Sequence, residues 1–161
     1  MGRRLFAWTA RVSIAAALCV GLVAAAPARA EPQEIQAAKD GAVDVVVTVV
    51  LAKKGEGPVT ASKEIAHLIP QFTRSFGDYR HFEFHSRHPL HVTAQQSPAV
   101  QLPNGTELTL RHDGKRDGYY QLALAVGGLK TTVQVHPGAT FFQAGRAFDG
   151  GVLVLAFEVA R

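Results

Sequence analysis

Three polar side chains alternate along one stretch of the chain in a pattern that suits metal binding. His81, Glu83 and His85 are separated by single residues, and five of the seven histidines lie between His67 and His91. In a β-strand these three residues share one face, with neighbouring members about 6.8 Å apart. An imidazole and a carboxylate at that spacing can share a zinc or copper ion. The pattern predicts a metal site formed by His81, Glu83 and His85.

The same stretch has a simpler interpretation. His81 and His85 are about 13 Å apart by strand rise, too far to bind one ion unless the strand bulges. A third and a fourth ligand must therefore come from other segments. His88, His91 and His112 are available, but no spacing places them near the others. The sequence favours the alternative, a solvated strand face with titratable side chains.

The sequence does not support a hydrolase. After residue 30 the chain has no cysteine and four serines, Ser62, Ser75, Ser86 and Ser97. None of these serines lies in a nucleophile-elbow motif, and no spacing singles out a catalytic pair among the acidic residues. The glycines fall where turns need them, not in a phosphate-binding or dinucleotide-binding loop. We therefore expect no enzyme activity.

The first 30 residues have the parts of a secretory signal peptide. Arg3 and Arg4 form a short basic start, residues 14–26 form an apolar run too short for a comfortable membrane span, and residues 28–30 are Ala-Arg-Ala. Cleavage is predicted between Ala30 and Glu31, which places the product in the periplasm or outside the cell. The two arginines also resemble a twin-arginine signal, so the export route stays open.

Export changes the charge balance of the protein. The signal contains four of the 17 basic residues and none of the 13 acidic ones, so the mature chain is formally neutral. A neutral chain lacks the basic surface that nucleic-acid binding requires, so we expect no such partner. Cys19 is removed with the signal, which leaves no thiol for a disulfide or a metal. No membrane span is predicted after cleavage.

The mature chain has the length of one domain. Residues 31–42 are predicted to form a flexible polar leader, and residues 43–161 a single β-rich domain. Val43 to Leu51 and Val152 to Val159 are apolar on both faces, which is typical of strands in the middle of a sheet. Tyr79 to Ser86 alternates like a half-buried strand, with short strands expected at His91 to Gln95, at Ala99 to Leu102 and from Leu108.

One segment has helical spacing. Ile65, Leu68, Ile69, Phe72 and Phe76 line up on one helical face. Pro70 lies inside this pattern, and because proline lacks an N–H and clashes with the preceding turn, we expect a kink or two short helices. Thr60 or Ser62 is the expected N-cap, and Gly77 the expected stop.

The stretch from Tyr119 to Val135 is predicted to be a β-hairpin. Alternating residues flank Gly127-Gly128, a pair that suits the positive φ angles of a tight hairpin turn. The register then places Val126 opposite Leu129 and Tyr120 opposite Val135. The outer face of the hairpin has little charge and no proline. It is therefore either part of an internal strand or a docking edge for a partner.

Short strands between closely spaced turns predict an antiparallel β-sandwich with one short, proline-broken α-helix. The valine-rich first strand, the helix ending in phenylalanines, the Leu102-Pro103-Asn104-Gly105 turn and the closing Gly-Gly-Val-Leu-Val-Leu strand resemble small exported proteins of Gram-negative bacteria whose function is unknown. The likeness spans most of the mature chain. It implies no catalytic or binding residue.

Two functions follow as hypotheses. The first is an exported, non-enzymatic β-domain that binds a protein or an envelope component. The alternative is a histidine-based periplasmic metal-binding protein. A carbohydrate-binding role has little support, because only Tyr79 and Tyr119 are expected to be exposed aromatic residues.

Overall fold

The computed structural model describes residues 41–161, in which most residues form β-strands. The predicted signal peptide and nearly all of the predicted leader lie outside the described residues. The strands are β1 (Val43–Lys54), β2 (Thr60–Ala61), β3 (Tyr79–Val92), β4 (Ala99–Gln101), β5 (Glu107–Arg116), β6 (Tyr119–Val126), β7 (Leu129–Val135), β8 (Thr140–Phe148) and β9 (Gly151–Val159). A 3₁₀ helix (Lys63–Leu68) and helix α1 (Ile69–Ser75) connect β2 to β3.

The strands form two sheets. The first has the order β2-β3-β1-β9-β8, and the second has the order β4-β5-β6-β7. All neighbours are antiparallel except β2 and β3. The prediction that the first and last strands of the domain lie centrally is confirmed, because β1 lies between β3 and β9, and β9 lies between β1 and β8.

Both faces of the first sheet are covered, which explains why β1 and β9 are apolar on both sides. On one face, Val45, Val47 and Val49 of β1 are fully buried in a core shared with the leucines of β5 and β6. On the other face, Phe72 of α1 stacks on Phe82 of β3 with ring centroids 4.9 Å apart. The predicted β-sandwich is thus confirmed, with the helical segment as a third layer on its first sheet.

The helical segment breaks where Pro70 predicts. The 3₁₀ helix ends at Leu68, and α1 begins at Ile69, so the proline lies in the first turn of α1, where its missing N–H has no helical partner to lose. Of the two expected N-cap residues, Ser62 occupies that position, at the start of the 3₁₀ helix, but its hydroxyl makes no capping bond and accepts the Phe84 N–H at 3.0 Å. Thr60 belongs to β2. Within residues 41–161, no helix has the length and apolar character needed to cross a membrane.

The hairpin of β6 and β7 has the predicted register. Val126 pairs with Leu129 and Tyr120 with Val135. The φ angles of Gly127 and Gly128 are 55° and 88°, which are those of a type I′ turn. Only glycine adopts two such angles in succession without steric cost, so this pair sets the register of the whole hairpin.

Two strands are longer than predicted. β3 continues past Pro89 to Val92 because β1 pairs with it along its whole length, from Val43 opposite Val92 onward. A separate strand at His91 to Gln95 is therefore wrong. β5 likewise is not short: it begins at Glu107 and continues through a bulge and the charged stretch at residues 113–116 to Arg116, so that only Asp117 and Gly118 form the turn into β6.

Candidate functional site

The predicted metal ligands lie on β3, but each contacts a different neighbour. His81 Nδ1 is 2.8 Å from Thr60 Oγ1, and Glu83 Oε2 is 3.4 Å from Lys53 Nζ. His85 lies at a register shift between β1 and β3, and its ring meets Phe148 edge-on at 6.5 Å. Among the described residues, no three His, Cys, Asp or Glu side chains are grouped closely enough to hold an ion. The zinc or copper site at His81, Glu83 and His85 stays a prediction.

The other histidines considered as ligands have partners of their own. His88 Nε2 is 2.9 Å from Ser86 Oγ, and His91 Nδ1 is 2.8 Å from Asp44 Oδ1. His112 is 2% exposed inside the sandwich, and its ring meets Tyr120 edge-on at 5.5 Å. The structure thus places these three histidines in separate surroundings.

Lys53, near the end of β1, connects β3 to the turn between β8 and β9 through two ion pairs. Its Nζ atom lies 3.4 Å from both Glu83 Oε2 and Asp149 Oδ2. Although desolvation opposes the change, hydrogen bonds and charge from Glu83 and Asp149 raise the pKa of Lys53 above its ordinary value. The carboxylate of Glu83 is therefore already engaged by a cation, which competes with its use as a metal ligand.

The contact between Ser86 and His88 is the only serine–histidine hydrogen bond among the described residues. Both residues lie on one face of β3, two positions apart. An activated serine also needs a third group that orients its base, and in residues 41–161 no carboxylate hydrogen-bonds His88. The pair does not have the geometry of a nucleophilic site.

The tyrosines do not form the exposed platforms expected of a sugar-binding surface. Tyr119 and Tyr79 are both half-buried. The ring of Tyr119 lies against His136, with centroids 3.9 Å apart, and that of Tyr79 meets Phe76 edge-on. The expectation that both rings are exposed is wrong, because each fills space beside another ring.

A second candidate site lies at the free edges of the two sheets. An edge strand exposes unpaired N–H and C=O groups, and proteins usually protect such edges with short strands, prolines, charges or bulges. Among residues 41–161, the edges are β2, the part of β3 beyond β2, β4, β7 and β8. All but one of these edges have such protection.

The protected edges differ in the device they use. β2 has two residues, and β4 has three residues between Pro98 and Pro103. The remaining edge of β3 contains Pro89 and Arg87. β8 has a register shift between Ala144 and Ala147, in which Arg146 lies. In contrast, β7 is seven residues long, regular and without proline, and Lys130 is its only charged residue.

The hairpin turn determines which groups of β7 face outward. A two-residue type I′ turn makes Val126 and Leu129 a hydrogen-bonded pair, and such pairs then alternate along the ladder. Odd-numbered residues of β7 therefore bond to β6. The N–H and C=O groups of Lys130, Thr132 and Gln134 point to the free edge. Their side chains are exposed as well.

A small apolar cavity opens between the sheets at the start of β7. Its volume is about 180 Å³, and it is lined mainly by Leu102, Val126, Leu129, Leu153, Leu155 and Arg146. Leu129 is 43% exposed and is the single large hydrophobic residue that is exposed in residues 41–161. Arg146 Nη2 donates a hydrogen bond of 3.1 Å to the Gly127 carbonyl, which ties β8 to the hairpin turn at the mouth.

The sequence around this cavity is cationic. From Gly118 to Phe148 there is no Asp or Glu, and Arg146 lines the mouth. The nearest acidic residue after this stretch, Asp149, is 3.4 Å from Lys53. Because Arg146 has no acidic neighbour in β8, the mouth favours negatively charged groups.

Sequence reasoning missed the cavity. Its walls come from four strands and two turns that belong to both sheets, and strand order is needed to bring them together. Leu129 was the available signal, since a large apolar residue next to a tight turn has no room to be buried by its own hairpin. In comparisons with known proteins, the chain matches no protein-family model, no curated protein and no solved structure.

Proposed function

We propose that this protein is an exported β-sandwich without catalytic activity. It binds another protein or a cell-envelope component by pairing an extended segment with the free edge of β7. The main support is the outward row of N–H and C=O groups at Lys130, Thr132 and Gln134, on a regular strand that lacks the protection of the other edges. In β-augmentation such a row provides the hydrogen bonds for an added strand.

The surroundings of the edge support the same function. β6 and β5 lie behind β7 in the second sheet, and their leucines are fully buried in the core. The edge is therefore carried by a rigid sheet, and an incoming strand orders only itself. The signal-like first 30 residues supply the export part of the proposal.

Photo-crosslinking in cells tests this proposal. A photoreactive residue is placed at Gln134 on β7 or at Gln101 on β4, which are exposed positions on the two outer strands of the same sheet. We expect an adduct from Gln134 that is absent from Gln101. The adduct should disappear when Thr132→Pro removes one outward N–H from the edge.

The comparison between Gln134 and Gln101 can also reject the proposal. Equal adducts from the two positions would indicate nonspecific encounter. An adduct from Gln134 that persists in Thr132→Pro would show that the partner does not use the backbone of β7. Either result, or no adduct from β7, would reject the proposed docking edge.

A further inference from the structure

We infer that the segment bound by β7 carries one apolar side chain of leucine or phenylalanine size and, two residues away on the same face, a carboxylate. The apolar side chain enters the cavity at Leu129, and the carboxylate meets Arg146. This inference rests on the proposed function and names the chemistry of its partner.

The position of the cavity relative to the edge supports this assignment. Leu129 and Thr131 pair with Val126 and Leu124, so their side chains lie on the core side of the second sheet. A strand added to β7 would lie about 4.8 Å beyond it and would direct every second side chain to the same side. One of these side chains, near Leu129, is then at the cavity mouth.

The size of the cavity limits the side chain. An apolar cavity of about 150 Å³ can hold a benzene molecule. The cavity here has a volume of about 180 Å³ and mostly leucine and valine walls. It therefore suits one leucine, isoleucine or phenylalanine side chain, whereas a tryptophan is too large and a serine leaves the apolar walls unfilled.

The charges at the mouth favour a carboxylate beside that side chain. Arg146 uses one N–H group on the Gly127 carbonyl, and a guanidinium has further donors for a second partner. Arg146 is also exposed, so these donors are open to a partner. With no Asp or Glu between Gly118 and Phe148, charge complementarity points to an acidic partner segment and not to a second copy of this strand.

Peptide binding to the full-length mature protein tests the inference. The probe is a fluorescein-labelled, threonine-rich peptide of roughly nine residues with a central Glu-Thr-Leu sequence, which puts the glutamate and the leucine on one face and is long enough to cover β7. Fluorescence polarisation should show binding that weakens at least tenfold when the leucine of the peptide is replaced by serine. Replacement of its glutamate by glutamine should weaken binding about two- to fivefold, with a smaller effect at high salt.

Variants of the protein separate the cavity from the edge. Thr106 lines the cavity and is in phase with buried Leu108, so Thr106→Phe places a ring in the cavity and should remove the preference for leucine over serine. Thr109→Phe, on the opposite face of the second sheet, should keep that preference. Arg146→Gln should reduce the preference for glutamate. Thr132→Pro should abolish binding of every peptide, since it changes the edge itself.

The outcomes distinguish the two proposals. Equal binding of the leucine and serine peptides, lost in Thr132→Pro, would overturn the cavity assignment and leave the docking edge intact. Binding unchanged in Thr132→Pro would reject both. The absence of any peptide binding would also overturn this inference. A dimer that Thr132→Pro dissociates would instead assign the site to a second copy of the chain. Peptide binding that becomes tighter when Ile35, an apolar residue of the predicted leader, is replaced by serine would assign it to the chain's own leader.

Discussion

Replacing Thr131 with proline is expected to unfold most of the protein, whereas replacing Thr132 with proline should leave it folded. Thr131 pairs with Leu124 in the hydrogen-bonded rows of the hairpin, so proline there removes a ladder bond next to a buried leucine. Interior prolines cost about 3 kcal/mol or more. That is a large part of the roughly 5–15 kcal/mol by which domains are stable.

Urea denaturation followed by circular dichroism measures the difference. The Thr131→Ala and Thr132→Ala variants serve as matched controls, because they remove the same side-chain atoms and keep the backbone N–H. Only Thr131→Pro should have a free energy of unfolding far below that of its alanine control. Equal losses of unfolding free energy in both proline variants would show that the Thr132 N–H is also bonded, and thus that the edge is covered.

Phe72→Ala is expected to have the second largest effect. Phe72 is fully buried, stacks on Phe82 at 4.9 Å and lies 5.1 Å from Phe142 at a tilted angle. Its ring joins the helical segment to the first sheet. Removal of a buried phenylalanine side chain typically costs 3–5 kcal/mol, since it loses both apolar burial and packing contacts.

The matched control for this variant is Phe76→Ala. Phe76 is half-buried and contacts Phe72 and Phe142 at the edge of the same cluster. Removal of its ring should therefore lower the free energy of unfolding clearly less than removal of the Phe72 ring. The free energy of unfolding from urea titrations decides the comparison. A loss below about 1 kcal/mol for Phe72→Ala would mean that the helical layer does not stabilise the sheet.

Local chemistry explains what could be predicted from the sequence. The Gly127-Gly128 turn, the break at Pro70 and the central position of β1 each depend on residues close together in the chain. A glycine pair sets hairpin register, proline ends or kinks a helix, and a strand apolar on both faces needs cover on both. These predictions are confirmed by the described residues.

Other features depend on distant strands, and there the sequence was insufficient. β3 continues past Pro89 because the twelve residues of β1 pair with it. The alternation of residues within β3 gives no information about the length of its partner strand. The hairpin alone did not show whether β7 is internal, because strand order in a sheet is a tertiary property. The cavity at Leu129 requires both sheets, so it had no sequence pattern of its own.

Amide hydrogen exchange along β7 in the monomeric protein tests the docking edge most directly. The N–H groups of Lys130, Thr132 and Gln134 should exchange quickly, because they have no partner in the β6 ladder. Those of Leu129, Thr131 and Val133 should be protected. Addition of a binding peptide should slow exchange at Lys130, Thr132 and Gln134 and leave exchange at Leu129, Thr131 and Val133 unchanged. Uniform protection from Leu129 to Val135 in the free monomer would contradict a free edge at β7.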